Sequence, residues 1–462
     1  MQRGAHAARR HRARRRAPFC GTARVAAHRL AAPPGGTAKF CVFLAYTTLL
    51  CGLLRDATGE RVPVIDDKGP GEPLFLTPYI ERGNIKEARR LARVTLNDSL
   101  NIESYAGFFT VNKAYDSNQF FWYFPSMSPD KAKAPVLVWL QGGPGASSLF
   151  GLFVENGPIR AVNGQFERRK YHWALNHHLI YIDNPVGAGF SFTNDTNGYC
   201  TDETQVGEQL YSTLTQFFQL FPELQQNAFF ITGESYAGKF VPALGYTIMK
   251  KGSTAKIKVN LKGLMIGGAW INPESQDHYW PYHACDDSHN VQNFMKRNQT
   301  WTLNSFNEED EYISVINKNA VRKAIHVGDL SYSDLDSTVR SKLNVDFCQS
   351  MAPWLSKILD HYPVTLYGGE LDSTVPYDGI VDFLRNHLNF TGASEYKSAK
   401  QYEWRVDGEP AGCVRRGGLL TEVYVLAAGH YLPADQPKRA WDMITRITSG
   451  KGFDQKEICF TP

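Results

Sequence analysis

What this 462-residue chain lacks narrows its class first. No apolar run reaches the ~18 residues that a membrane-spanning helix needs, so a polytopic membrane protein is excluded and no stable span is expected. Pro (24) and Gly (39) stand at ordinary levels, which excludes collagenous or low-complexity architecture for the bulk of the chain. At 43% hydrophobic and 13% aromatic, the chain holds too much apolar material for intrinsic disorder, and enough for one large core or two domains. There is no C-x-x-C and no His/Cys metal spacing, so no metal site is expected. Basic charge is missing where it would count. The formal charge of +4 arises in residues 1–55, which hold 11 Lys/Arg and no acid; the rest has 39 basic and 46 acidic residues, a net −7. An acidic body does not attract nucleic acid, and no such partner is expected.

The first 60 residues read as a separate leader. Residues 1–39 are rich in Arg, Ala and His without hydrophobic periodicity, and the 15-residue stretch Phe40–Leu54 that follows has the length and basic flank of a signal-peptide core. A basic stretch of 39 residues is long for that purpose. A mitochondrial transit peptide or a type II anchor are the competing readings, and entry into the secretory pathway is the expectation. Sequons at Asn97, Asn194, Asn298 and Asn389 agree with it as candidate glycosylation sites. Beyond the leader stand Cys200, Cys285, Cys348, Cys413 and Cys459. An odd count implies a free thiol, an intermolecular bridge or a missing partner, and connectivity is not readable.

Past Arg61, short apolar runs alternate with helical patterns. Val136–Leu140, Leu179–Ile182, Ala228–Ile231, Gly263–Ile266, Val364–Tyr367 and Val423–Leu426 are apolar at every position, as strands covered on both faces must be. Helices are predicted over Asp202–Leu220, Ala237–Lys250, Val321–His326, Tyr377–Leu388 and Pro437–Ser449, and a hairpin over Tyr105–Val111 and Gln119–Phe124. The expected fold is α/β, a central mostly parallel sheet with helices on both faces. The core is expected in two parts, 61–272 and 320–462. Between them 273–319 is polar, aromatic and irregular, and reads as an insertion.

In an open parallel sheet, functional groups collect where strands end at their carboxyl edge. Ala228-Phe-Phe-Ile-Thr232 runs into Gly233-Glu-Ser-Tyr-Ala-Gly238 and a helix, which puts Ser235 at the apex of a strand–turn–helix. Gly233 and Ala237 are small enough for strand and helix to close around a strained serine. Alone this motif is weak; its place between a buried strand and a helix strengthens it. Val364–Tyr367 leads to Asp372 and Val423–Leu426 to His430, in the order Ser, Asp, His of the α/β-hydrolases. Ser235 is then the nucleophile, His430 the general base and later acid, and Asp372 the orienting carboxylate. Singly, Asp372 reads better as a cap and His430 as a turn residue. The Gly-rich turn after Val136–Leu140 lacks the P-loop pattern, so it is assigned to an oxyanion hole made by the N–H groups of Gly143 and Tyr236.

WLQGGPGASS, DNPVGAGFSF, ITGESYAGKFVPAL, YGGELDSTVP and AAGHYLPADQP resemble the serine carboxypeptidases. LFLTPYIERG, SYAGFFTVNK, QFFWYF and Gln141 are closest to the vitellogenic-like branch, and the likeness runs from about Leu74 to Asp454. The resemblance implies an α/β-hydrolase fold that releases single C-terminal residues from peptides in acid, in the secreted or lysosomal compartment, without cofactor or metal. It implies that Trp139, Gln141, Gly142 and Glu234 bind the substrate's terminal carboxylate, with Glu155 paired to Glu234. The expected partners are peptides with a free C-terminus, with a homodimer left open. Three departures stand out: Ala146 where many relatives carry a cysteine, Gly268 in place of Asn or Asp, and an insertion about half the usual length. The insertion would form the cap over the site, and a shortened cap is expected to expose apolar surface. An esterase, an acyltransferase or a catalytically weakened binding protein are the alternatives on this scaffold.

Overall fold

Residue positions are described by a computed structural model over 69–96, 100–279, 311–453 and 458–459. The leader, Asn97, Asn298, Cys285 and the middle of the insertion lie outside the described residues.

Each continuously apolar run becomes a strand. In chain order the strands are β1 (Tyr105–Asn112), β2 (Ser117–Phe124), β3 (Val136–Leu140), β4 (Ile159–Val162), β5 (Gln165–Arg168), β6 (His178–Ile182) and β7 (Phe192–Thr193). They continue with β8 (Phe229–Glu234), β9 (Leu261–Gly267), β10 (Val364–Gly369), β11 (Gln401–Val406), β12 (Glu409–Gly417) and β13 (Leu420–Val425). The main sheet runs β1-β2-β6-β3-β8-β9-β10-β13-β12-β11, with β7 beside β2. The six strands from β6 to β13 pair in parallel; β1–β2 and β11–β12 close the two ends antiparallel. Strands from both sides of the insertion therefore share one sheet.

Alternation along a strand sends successive side chains to opposite faces. On β3, Val136, Val138 and Leu140 join the hydrophobic layer beneath helices Glu203–Leu220 and Ala237–Lys251. Leu137 and Trp139 join the other layer, with Tyr181, Tyr367, Val423 and helix Pro437–Thr448. Both faces are buried, which is why no polar alternation marks these strands.

The structure departs from the sequence reading in several places. β11, β12, β4 and β5 were not among the expected strands, although Asp407-Gly408 and Asn163-Gly164, all at positive φ, are two-residue hairpin turns that the sequence displays openly. The helix expected over Tyr377–Leu388 is α-helical only to Asp382, and Phe383–His387 widens to a π-turn. The ends of the stretch read as irregular are helical, at Pro273–Gln276 and 311–316, the former opened by a proline at its first position. A disulfide joins Cys413 on β12 to Cys459, while Cys200 is buried and free and Cys348 is exposed and free. Among the described residues no helix is long and apolar enough to cross a membrane.

Candidate active site

β8 ends at Glu234 and the next helix starts at Ala237, so Ser235 and Tyr236 must make the whole reversal. Ser235 takes φ +61°, a costly conformation for a residue with a Cβ. It is held there by three backbone bonds: its N–H donates to Gly267 O at 2.9 Å, and its carbonyl accepts from Gly238 N at 2.8 Å and Trp270 N at 3.0 Å. The close approach expected at Gly233 is present, since a Cβ there would lie 2.7 Å from Leu140 O and 2.8 Å from Ala237 Cβ. Gly238 has the same constraint against Trp270 O, at 2.6 Å.

Asp372 and His430 follow β10 and β13 and meet at 2.9 Å, Oδ2 to Nδ1. Asp372 also behaves as the cap that it resembles in isolation. Its Oδ1 accepts from Thr374 N at 2.9 Å and Val375 N at 2.8 Å, which leaves Oδ2 fixed toward the imidazole. Burial of His430 disfavours its charged form, but the charge and hydrogen bond of Asp372 outweigh that and raise its pKa above the usual histidine value. One turn joins this pair to the elbow. Gly267 and Trp270 hold Ser235, and Gly268 between them touches the pair: a Cβ at 268 would lie 2.8 Å from Asp372 Oδ2 and 3.0 Å from His430 Nδ1. The glycine that departs from the family pattern thus occupies space that any side chain would contest.

Gly142 and Gly143 arrive from β3. A Cβ on Gly142 would sit 2.5 Å from Tyr236 N and 2.8 Å from Ser235 Cβ, so the glycine loop lies directly on the elbow. Neither Gly143 N–H nor Tyr236 N–H donates to a backbone carbonyl among the described residues. Two buried supports underlie this loop, and the sequence reading named neither. Asp183, wholly buried, accepts from Ser147 Oγ at 2.6 Å, Ser148 N at 3.0 Å and Phe190 N at 2.8 Å; burial pushes its carboxyl up to about 7. Ser148 Oγ in turn accepts from Gln141 N at 3.1 Å. On the other side the Tyr236 ring stacks on Phe347, and buried Lys239 pairs with Asp346 at 2.9 Å. Glu203 lies within reach of that charge, and burial raises its pKa to about 8.

The carboxyls expected to clamp a chain end are both fully buried. Trp139 Nε1 donates to Gln141 Oε1 at 2.9 Å, which turns Gln141 Nε2 to Glu234 Oε1 at 3.1 Å. Glu155 comes from the π-turn Gly151–Asn156. Burial raises it to about 7, and raises Glu234 further because the charge of Glu155 adds to the cost. A pair that cannot ionise twice at low cost retains a proton through the acid range. Asp435 is a third acid, near Asp372 and His430. It accepts from Gly429 N at 2.6 Å, and burial lifts it to about 6.

Of the sequons, Asn194 and Asn389 are exposed, as glycosylation requires.

The chain matches the serine carboxypeptidase family over residues 95–288 and 276–450. It is 41% identical to the vitellogenic carboxypeptidase of Aedes aegypti, over 88% of this chain and 98% of that protein. It is 42% identical to the venom serine carboxypeptidase of Apis mellifera, over 85% of this chain and 94% of the relative. Among solved structures, a prohormone-processing carboxypeptidase from Saccharomyces cerevisiae superposes with a TM-score of 0.67 at 22% identity, covering 79% of this chain and 96% of that one. That likeness shows the α/β-hydrolase fold.

Proposed function

This chain belongs to the serine carboxypeptidase family and is a peptidase, and on that premise we propose that Ser235, His430 and Asp372 carry its chemistry. The observation that supports the assignment best is the turn Gly267–Trp270, which binds the Ser235 backbone while Gly268 abuts the Asp372–His430 pair. His430 accepts the Ser235 hydroxyl proton as the oxygen attacks the carbonyl of the last peptide bond. The N–H groups of Gly143 and Tyr236 receive the developing oxyanion. His430 then protonates the departing amino acid, and water repeats the sequence in reverse on the acyl-enzyme. Trp139, Gln141 and Gly142 line the site for the free carboxylate. The proton retained by Glu155 and Glu234 turns a repulsive neighbour into a donor, which favours peptides in acid.

The leader Phe40–Leu54 and the sequons support entry into the secretory pathway, toward secretion or the lysosome, with glycans at Asn194 and Asn389. The insertion after Asn272 leaves the sheet beyond β9, at the edge that carries Ser235, which suits a cap. The test is release of the terminal amino acid from a blocked dipeptide at acidic pH, with fluorophosphonate labelling of the same protein. Ser235→Ala should abolish both, because triad members act as a unit. Labelling at another serine, or activity that survives, rejects the triad.

A further inference from the structure

A row of four residues crosses the sheet at the level of the two buried glutamates. Gln141 directly follows β3, Glu234 ends β8, Gly267 ends β9 and Tyr367 lies on β10. The register pairs Glu234 with Gly267 and Gly267 with Tyr367, so the side chains of Glu234 and Tyr367 leave the sheet on the same face. β8 and β10 are two strand spacings apart, roughly 10 Å. Between them lies the bare backbone of Gly267, and the Tyr367 ring is laid across it: a Cβ there would be 2.7 Å from Cζ and 2.9 Å from Oη. The glycine thus lets the phenol pass over β9 toward the acids, and the charges of both Glu234 and Glu155 reach it. Tyr367 is fully buried, and its hydroxyl has no hydrogen-bond partner among the described residues. Glu155 Oε1, Glu155 Oε2 and Glu234 Oε2 likewise have no donor placed in hydrogen-bonding geometry among them. A buried donor and buried acceptors that stay apart are each costly, which makes their pairing favourable.

We propose that Tyr367 is a positioning residue of the clamp: its hydroxyl donates to the carboxylate formed when the Glu155–Glu234 pair gives up a proton, and so sets how far above acid a chain end is still held. This rests on the reading of that pair as the clamp. A phenol has one proton to donate, and an ionised carboxylate is a stronger acceptor than a neutral carboxyl. The bond therefore favours the charged pair and makes its proton easier to lose. Other groups face the pair as well. Gln141, His430 and Arg169 ease the charge of Glu155, and Asp372 adds to the cost of charge on Glu234. The Tyr181 hydroxyl, which feels the Glu155 charge, is engaged with Asn156 Oδ1 at 2.7 Å.

The test measures KM of the purified full chain for an N-blocked dipeptide with a free C-terminus, from about pH 5 to 8. Tyr367→Phe keeps the ring over Gly267 and removes only the donor. The pH at which its KM rises should move up by about one unit, the scale of a hydrogen bond to a charged group. A phenol that merely fills space would alter Tm without moving that pH. Tyr396→Phe removes an equally buried hydroxyl from Glu422, on the opposite face of the sheet, and should leave the KM profile in place. In Tyr367→Phe, a rise that stays where it was, or one that moves down because the hydroxyl accepts from the neutral pair, overturns the proposal. Glu234→Gln keeps the two failures apart. If its KM profile retains the wild-type slope, the clamp fails and the role of Tyr367 with it; if that profile flattens while Tyr367→Phe follows the wild type, only the role of Tyr367 fails.

Discussion

Glu155 and His430 act on each other's charge, although one belongs to the π-turn Gly151–Asn156 and the other follows β13. The Glu155 carboxylate strengthens the proton affinity of His430, and the imidazolium weakens that of Glu155. Asp435 adds to the first effect. An acid optimum conflicts with a histidine base whose pKa is raised. The coupling reduces the conflict, because Glu155 at about 7 and Asp435 at about 6 lose their charge in acid and leave Asp372 as the group that raises the imidazole. Glu155 thereby links the protonation of the clamp to that of the base.

Glu155→Gln should therefore move the ascending limb of kcat/KM to lower pH for an ester that lacks a free carboxylate. That substrate isolates His430 from the clamp. A pH–rate series on both proteins reads the shift, and an unmoved limb disproves the coupling.

Glu234→Gln should flatten the rise in peptide KM that accompanies ionisation of the pair, because an amide has no proton to lose. At pH 5 its KM should stay within roughly tenfold of the wild type, since a neutral donor remains. A KM profile that keeps its slope would show that the pair does not bind the chain end.

Lys239 is fully buried, and its salt-bridge partner Asp346 is only 16% exposed. Asp346→Ala should destabilise the protein by about 3 kcal/mol, because it removes the carboxylate paired with the buried ammonium and leaves Glu203, protonated by burial, as the nearest acid. Lys239→Met on that background should recover most of the loss. Urea denaturation of the two single variants and the double variant measures the cycle, and additive losses would show that the residues do not act as a pair.

Stability should fall between about pH 6.5 and 8. Asp183 at about 7 and Glu203 at about 8 keep protons in the fold that the unfolded chain releases near pH 4, so their contribution fades as pH rises through the folded values. Below pH 6.5, buried His172 and His177, lowered by burial to about 4, favour the fold as pH rises and oppose that slope. Above it their unfolded forms are neutral too, and the acids act alone. Thermal unfolding across this window reads the result; a flat or rising Tm contradicts it.

The parallel strands were legible because burial on both faces leaves an unbroken apolar signature, and the turns after three of them carry the candidates Ser235, Asp372 and His430. β11 and β12 carry Glu403, Arg405, Arg415 and Arg416 and so lack that signature; only the Asp-Gly turn betrays them. Asp183, Lys239 and Glu203 were opaque for another reason. A buried charge looks like a surface charge in sequence until its partners, distant along the chain, are brought to it.

The Cys413–Cys459 bridge bears on a hazard peculiar to this chemistry: an enzyme that shortens chains from the end meets its own tail and those of its copies. Cys459 is bonded covalently to β12, its N–H donates to Gln401 O at 3.0 Å, and Ile458 pairs with Tyr402. A backbone engaged in this way cannot thread into a neighbour's cleft. Wherever the chain end lies beyond it, a Cys459 bonded in this way should resist removal, and reduction of the bridge should lift that resistance.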